Sequence, residues 1–500
     1  MDTNELRIKS ALDISPEQLN EISLQTSQLV SDYFSGIRDR SVRAGNYAGK
    51  TLQAVDTELS QQPVPLETLM NECRSMLDLS RHNGHPRFFG YVASPSTPIG
   101  AYADLVASAL NANITCWRSG PAGTEVERLV VRWLGQLISY DDTAAGLLTS
   151  GGSMANMIAL LIAARRTLGP EVGNKGLWQG SPLSIYASSE VHMSIAKAAD
   201  ILGFGRDSIR IVDCDERHRI IPAHLRLLIQ EDIENGFKPS CVVASAGTVN
   251  TGVVDPLDGV ADVAREFNLW FHVDGAYGAP GVLDPRKKQL FRGLERADSL
   301  SLDPHKWLYV PVDVGCLLYR DPDAASAAFR TEEADYIKLH GHADDEAFAF
   351  WDYGIELSRR FRALKVWFTL RYYGAQQIAQ SIVEDNALAK YLGDLVNEAE
   401  DFELLAPVEL SICCFRYLPR NLVAKNGKTQ EPHSLNRALN DFNEKLMSRV
   451  QTSGRAYLSN AIVDGNFALR ACITNFRTTK SDIEETITVI RELALELQTG

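Results

Sequence analysis

The sequence predicts an α/β protein with a mainly parallel-stranded large domain over 96–380. A helical segment over 1–95 precedes it, and a small α+β domain over 381–500 follows. Three observations carry this. Short β-branched runs alternate with helical stretches through the middle of the chain, the pattern of a parallel sheet with crossover helices. The first 95 residues are helical in pattern but thin in apolar residues. Beyond 380 the chain is helix-rich, with strand-like runs at "LSICCFRYL" and "FALRACITNFR".

In chain order, "SPEQLNEISLQTSQLVSDYFSGI" opens a helix with Ser15 as N-cap and Pro16 at its first position. "QQPVPLETLM" breaks the helical pattern, and a block this poor in core residues needs another surface, such as a second subunit, to pack on. In the middle, "SIYAS" leads into "MSIAKAADILGFG". "CVVASAG", "LDGVADVAREFN", "LWFHVDGAYG" and "SLSLDPHKW" then follow in turn. Small, polar or ionisable residues fall where these strands end, the edge at which open α/β sheets bind ligands.

The totals narrow the function. At 500 residues the chain exceeds one ordinary core. A formal charge of -14 with no basic run speaks against nucleic acid. No apolar run reaches membrane-spanning length, and the N-terminus lacks a signal-peptide layout. Eight scattered cysteines show no metal spacing, so inert thiols in a cytoplasmic protein, with no metal, are expected.

The chemistry-bearing residues sit at the strand ends. In "LLTSGGSMANMIALLIAARR", Gly151, Gly152 and Ser153 precede an apolar helix. Such a turn exposes N–H groups and the positive dipole end to a phosphate, or simply caps a helix. Asp274 in "WFHVDGAYG" is a turn residue or a carboxylate held for a protonated ring nitrogen, and Ala276 is small enough for a flat ring to lie against. His192 is a helix cap or a ring that stacks on a planar ligand, and Thr248 in "ASAGTVNTG" offers its hydroxyl to a turn or a ligand. Lys306 follows the apolar "SLSLD". There a charged ammonium is costly unless it snorkels, loses its proton, or forms a Schiff base with an aldehyde. Taken together, an anion cradle, a stacking imidazole, a ring-nitrogen acid and an amine are what pyridoxal phosphate requires.

"HPRFFGY", "GPAGTEVE", "TSGGSMAN", "HVDGAYG", "DPHKWL" and "LSRRFRALKVWF" carry a family resemblance. The chain resembles the group II pyridoxal-phosphate decarboxylases from about Pro86 to Gly374, and more weakly to the C-terminus, nearest the aromatic-L-amino-acid branch. The resemblance implies a fold-type-I homodimer with active sites at the interface and an N-terminal segment wrapping the partner. It implies Lys306 as the Schiff-base lysine, Asp274 as partner of the pyridine nitrogen and His192 as the stacking histidine. Gly152 and Ser153 match phosphate-binding positions, and Thr248 and His305 match other cofactor contacts. Substrate contacts are expected from Tyr91, Ser94, His192 and Trp117, with Phe88 and Phe89 as further candidates for an aromatic wall. Tyr336 matches a loop tyrosine that protonates the carbanion; phenylalanine there goes with aldehyde formation.

Three departures stand out. Val92-Ala93-Ser94 replaces the aromatic-Pro-Thr run of the animal aromatic enzymes. Asp303 replaces an asparagine near the phosphate and, as a carboxylate, is expected to face away from it. Ser358 stands where histidine decarboxylases have serine and animal aromatic ones glycine. The expected reaction is decarboxylation of an L-amino acid, aromatic by resemblance, to amine and carbon dioxide. Histidine or another amino acid as substrate, an aldehyde synthase or aminotransferase, and a cofactor-binding protein without turnover are the rivals. No cation for a distal carboxylate is evident from sequence.

Overall fold

The computed structural model describes residues 10, 12–45, 48–141, 143–169, 171–176, 181–330, 348–425 and 432–499. Its strands, in chain order, are β1 (Phe88–Phe89), β2 (Ala145–Thr149), β3 (Leu183–Ser188), β4 (Ile209–Val212), β5 (Lys238–Ser245) and β6 (Trp270–Asp274). β7 (Ser299–Leu302), β8 (Gly315–Tyr319), β9 (Phe402–Leu404), β10 (Ile412–Tyr417), β11 (Tyr457–Val463) and β12 (Asn466–Cys472) follow.

The mid-chain runs form one sheet in the order β2-β8-β7-β6-β5-β3-β4. Only β8 runs against the others, pairing antiparallel with both β2 and β7. Every residue of β3, β6, β7 and β8 is buried, as a sheet covered on both faces requires. The helices Gly152–Leu168, Ser194–Ile201 and Leu257–Glu266 lie between successive strands, so six strands end on one edge.

The second sheet, β1-β11-β12-β10-β9, has its own core around Phe89, Phe415, Leu458, Leu469 and Ile490. Here the structure differs from the sequence-based expectation. β1 lies within 1–95, yet it pairs in parallel with β11, Phe88 opposite Tyr457. A two-residue strand carries no periodicity to read. The 380 boundary falls inside the helical stretch Ala363–Glu398, whose break is at Gly374 (φ 74°), a conformation glycine adopts freely.

Ser15 caps the first helix and Pro16 starts it, as read, and Gln18 completes a capping box that the sequence reading did not include. That helix, Pro16–Ser35, and the helix Leu66–Leu79 bury no residue, and Leu19, Leu24, Leu69 and Met76 stand exposed. Among the described residues no helix is long and apolar enough to cross a membrane, and no group of side chains is placed to hold a metal.

Candidate active site

The strand ends converge on a cavity of about 550 Å³. β2 delivers the turn Ser150–Ser153, β3 leads to His192, β6 ends on Asp274, and β7 runs into Asp303, His305 and Lys306. From the small sheet come Ser459, Asn460 and Arg470, and Tyr91 follows β1.

Close packing fixes the cradle. A Cβ on Gly152 would lie 2.8 Å from the Ala276 Cβ, and one on Gly315 would lie 2.5 Å from the Gly151 Cα. Both positions must be glycine for the turn to sit against β6 and β8. Gly152 and Ser153 begin a helix whose first N–H groups have no intrahelical acceptor, so they face the cavity ready for an anion.

Asp274 is buried and fully hydrogen-bonded. Its Oδ2 accepts from Asn156 Nδ2 (2.8 Å); its Oδ1 accepts from Ser301 Oγ and the Ala276 N–H, each at 3.1 Å. Burial pushes its pKa up, but the Lys306 ammonium, His272 and His192 together with Asn156 outweigh this and hold it below the usual carboxylate range. His192 is pushed down by burial, with Lys306 adding to the effect, so its imidazole is neutral near pH 7.

Lys306 answers the cost of its own charge with carboxylates. The turn after β7 closes through Lys306 N–H to the Asp303 carbonyl (2.9 Å) and brings Nζ to 3.0 Å from Asp303 Oδ2. Burial lowers the pKa of the amine, but Asp303 and Asp274 raise it further, so the amine stays protonated until a ligand changes its surroundings. Asp303 therefore does not face away. It is buried beside Gly152, with Oδ2 3.0 Å from where a Gly152 Cβ would stand, because Lys306 compensates its charge. Its Oδ1 has no hydrogen-bond partner among the described residues.

Of the residues singled out in the sequence, Tyr91, Gly152, Ser153, His192, Asp274, Ala276, His305 and Lys306 line this cavity. Five do not. The buried Thr248 turns its hydroxyl to Thr251 Oγ1 (3.0 Å). Ser94 lies in a neighbouring cleft, where its Oγ donates to the His305 carbonyl (3.2 Å). Trp117 bonds through its backbone to Phe348. Phe88 stacks on Tyr457 and Phe89 joins the small-sheet core, so both are packing residues. Ser358 is exposed, outside the cavity, and Tyr336 lies outside the described residues.

Two residues that sequence reasoning missed matter here. Asn156 is the one polar residue in the apolar run 154–164 of the helix Gly152–Leu168, and that isolation is the signal. Arg470 is 3% exposed and donates to the carbonyls of Asn250 and Tyr91 and to Ser459 Oγ, while Nη2 has no partner among the described residues. Tyr91 reaches it through a left-handed backbone (φ 58°), a conformation rare for bulky residues and frequent at functional sites.

The donor set fits pyridoxal phosphate: an anion cradle too tight for a Cβ at position 152, an ionised acid, a neutral imidazole and a reachable amine. Residues 49–418 match the pyridoxal-dependent decarboxylase conserved domain. The chain is 34% identical to an aromatic-L-amino-acid decarboxylase of Bacillus atrophaeus, covering 97% of each. It is 28% identical to a phenylacetaldehyde synthase of a Rosa hybrid cultivar, covering 98% of this chain and 96% of that one. Oryza sativa TDC, crystallised with PLP and tryptamine, superposes with a TM-score of 0.88 at 28% identity, over 98% of this chain and 99% of that one. The match runs through both the cradle at Gly152 and the turn at Lys306, and with it the chain belongs to the pyridoxal-dependent decarboxylases, carboxy-lyases that work through pyridoxal phosphate.

Proposed function

We propose that the enzyme decarboxylates an aromatic L-amino acid bearing a single carboxylate, releasing carbon dioxide and the amine. The observation that carries this is the charge inventory of the cavity. Among the described residues Arg470 is, besides Lys306, the one cavity-lining residue with a positive charge, and its Nη2, without a partner among them, suits one carboxylate. A dicarboxylic substrate needs a second cation, and none lines the cavity among the described residues. Tyr91, Val92, Met154 and Val249 supply an apolar wall for a side chain. The Bacillus relative named for aromatic amino acids agrees.

In this reading Lys306 provides the amine for covalent attachment, and Asp274 keeps a proton on the ring nitrogen. His192 would pack on the ring, with Ala276 and His305 lining the same cavity. Gly152 and Ser153 present N–H groups to the phosphate, and Arg470 draws in the substrate carboxylate. Bound pyridoxal phosphate supplies the electron-accepting ring that takes the electron pair of the broken bond. Tyr336 is assigned protonation of Cα from its motif alone.

A second reading, aldehyde formation, has the Rosa synthase behind it, and the tyrosine at 336 speaks against it. The test is product analysis of protein reconstituted with pyridoxal phosphate, offered tyrosine, DOPA, phenylalanine, tryptophan, histidine and glutamate singly. Equal carbon dioxide and amine from an aromatic substrate is expected. Glutamate as the best substrate, or aldehyde with ammonia and peroxide, overturns it.

Supporting a homodimer are the two N-terminal helices that bury nothing and expose Leu19, Leu24, Leu69 and Met76, which a second copy would cover. Sedimentation of the full chain as a monomer at micromolar concentration would refute it. The eight cysteines, all free, fit a reducing compartment such as the cytoplasm.

A further inference from the structure

Asp274 and His192 do not contact each other through a hydrogen bond; two further side chains, Asn156 and Ser194, join them. Asn156 Nδ2 lies 2.8 Å from Asp274 Oδ2 and 2.9 Å from Ser194 Oγ, while its Oδ1 lies 3.0 Å from His272 Nε2. We propose that Asn156 is a positioning residue that fixes His192 in the Nε2–H tautomer while it holds Asp274. The inference rests on the roles given above to those two residues.

The direction of every bond follows from one fixed point. An ionised Asp274 only accepts, so the Asn156 atom facing it is the amide nitrogen. That turns Oδ1 to His272, which must donate from Nε2. The fully buried His272, with its pKa pushed down to about 4 chiefly by burial, is neutral, so its Nδ1 accepts from Ser299 Oγ at 2.9 Å. Ser299 in turn accepts from Trp270 Nε1 at 2.8 Å. On the other branch Ser194 Oγ accepts the second Asn156 N–H, which leaves its own hydrogen for His192 Nδ1 at 2.8 Å. The Ser194 backbone N–H also donates to Nδ1, at 3.2 Å. Two donors converge on one ring nitrogen, so the imidazole proton sits on Nε2. Among the described residues Nε2 has no partner, and His192 lines the cavity, so this N–H is the one offered to a bound ligand.

The chain of bonds predicts a tautomer shift. Asn156→Asp replaces the amide donor by an acceptor of the same shape. The new carboxyl stands where an amide nitrogen lay 2.8 Å from Asp274 Oδ2 and shares one proton with it, while the Ser194 hydroxyl turns to the new acceptor. Ser194 Oγ then competes as acceptor with the Ser194 backbone N–H donor at His192 Nδ1, and the tautomer shifts towards Nδ1–H. Adding Ser194→Ala removes that hydroxyl and leaves only the backbone N–H, so the double variant should return to Nε2–H.

Nitrogen-15 spectra of histidine-labelled full-length protein read the tautomer, with and without pyridoxal phosphate and with no substrate present. His192→Gln identifies the His192 signals by their loss. We expect an unprotonated Nδ1 in the wild type, a partly protonated Nδ1 in Asn156→Asp, and restoration in the double variant. Amine formation should fall on the order of 100-fold in Asn156→Asp, the upper scale for losing a ligand-orienting partner. If Asn156→Asp does not fold, Asn156→Leu serves: it only frees the Ser194 hydroxyl to rotate, and should show a smaller shift in the same direction. A protonated Nδ1 in the wild type, or an unchanged Nε2–H signal in a folded Asn156 variant, overturns the inference. A protein that decarboxylates nothing yet shows the shift would overturn the proposed function alone.

Discussion

Asp274 and Asp385 are two buried carboxylates on opposite sides of one turn, and they end in opposite states. Burial pushes both up. At Asp274 the Lys306 ammonium, helped by His272 and His192, overcomes this and keeps the group ionised below its ordinary range. At Asp385 the neutral donors Trp307 Nε1 (2.8 Å) and Tyr309 OH (2.7 Å) do not suffice, and the pKa stands at about 7. Residues 306, 307 and 309 belong to the same turn: the cation points to the cavity, the neutral donors to the helix behind it. Neutral hydrogen bonds satisfy a buried carboxylate, but a nearby positive charge is what keeps it charged. Of the two, only Asp274 carries the charge that the proposed function asks of a ring-nitrogen partner; Asp385 anchors the turn that carries Lys306.

The largest test of this contrast is activity. Asp274→Asn removes the charge that the ring nitrogen needs and should lower kcat on the order of 10²–10³-fold, the scale of losing one aimed electrostatic partner. Asp385→Asn keeps the size and an acceptor for Trp307 and Tyr309, and should leave kcat within about threefold. Steady-state amine formation under saturating pyridoxal phosphate measures both. Equal losses would mean that Asp385 works through the charge of the site as well, and that the contrast is wrong.

How much of this was legible in the sequence depended on how local each signal is. The parallel sheet shows in runs such as "CVVASAG" and "WFHVD", whose apolar patterns need no distant partner to be read. Gly152, His192, Asp274 and Lys306 follow those runs directly, so strand ends pointed to them. Arg470 was not legible, because it reaches the cavity only after β12 pairs beside β11 and the chain at Tyr91 turns back to meet it. β1 was missed for the same reason. Thr248 lies in a marked turn, and Ser94 and Trp117 just outside marked motifs, but their contacts are settled by Thr251, His305 and Phe348. Asp303 was misread because an isolated carboxylate near a phosphate is repulsive, whereas a carboxylate 3.0 Å from an ammonium is not isolated.

The same pair of aspartates makes a smaller prediction, in stability, with opposite signs. Asp385 has a folded pKa of about 7 against about 3.9 unfolded. The unfolded chain therefore loses this proton first as pH rises, and the stability that the group contributes at low pH is lost between the two values. From pH 5 to pH 8 the loss is roughly 3 kcal/mol. Asp385→Asn has no such proton, so its stability relative to the wild type should improve by about that amount over this range. Asp274 is lowered in the folded state, so its contribution is present above the unfolded pKa and is lost as pH falls through the folded one. Asp274→Asn should therefore be most destabilised relative to the wild type at neutral pH, with the gap closing towards acid. Urea unfolding of both variants at pH 5 and pH 8, with an acid series for Asp274→Asn, reads the two slopes. If they share a sign, the cation at 306 is not what separates the two carboxylates.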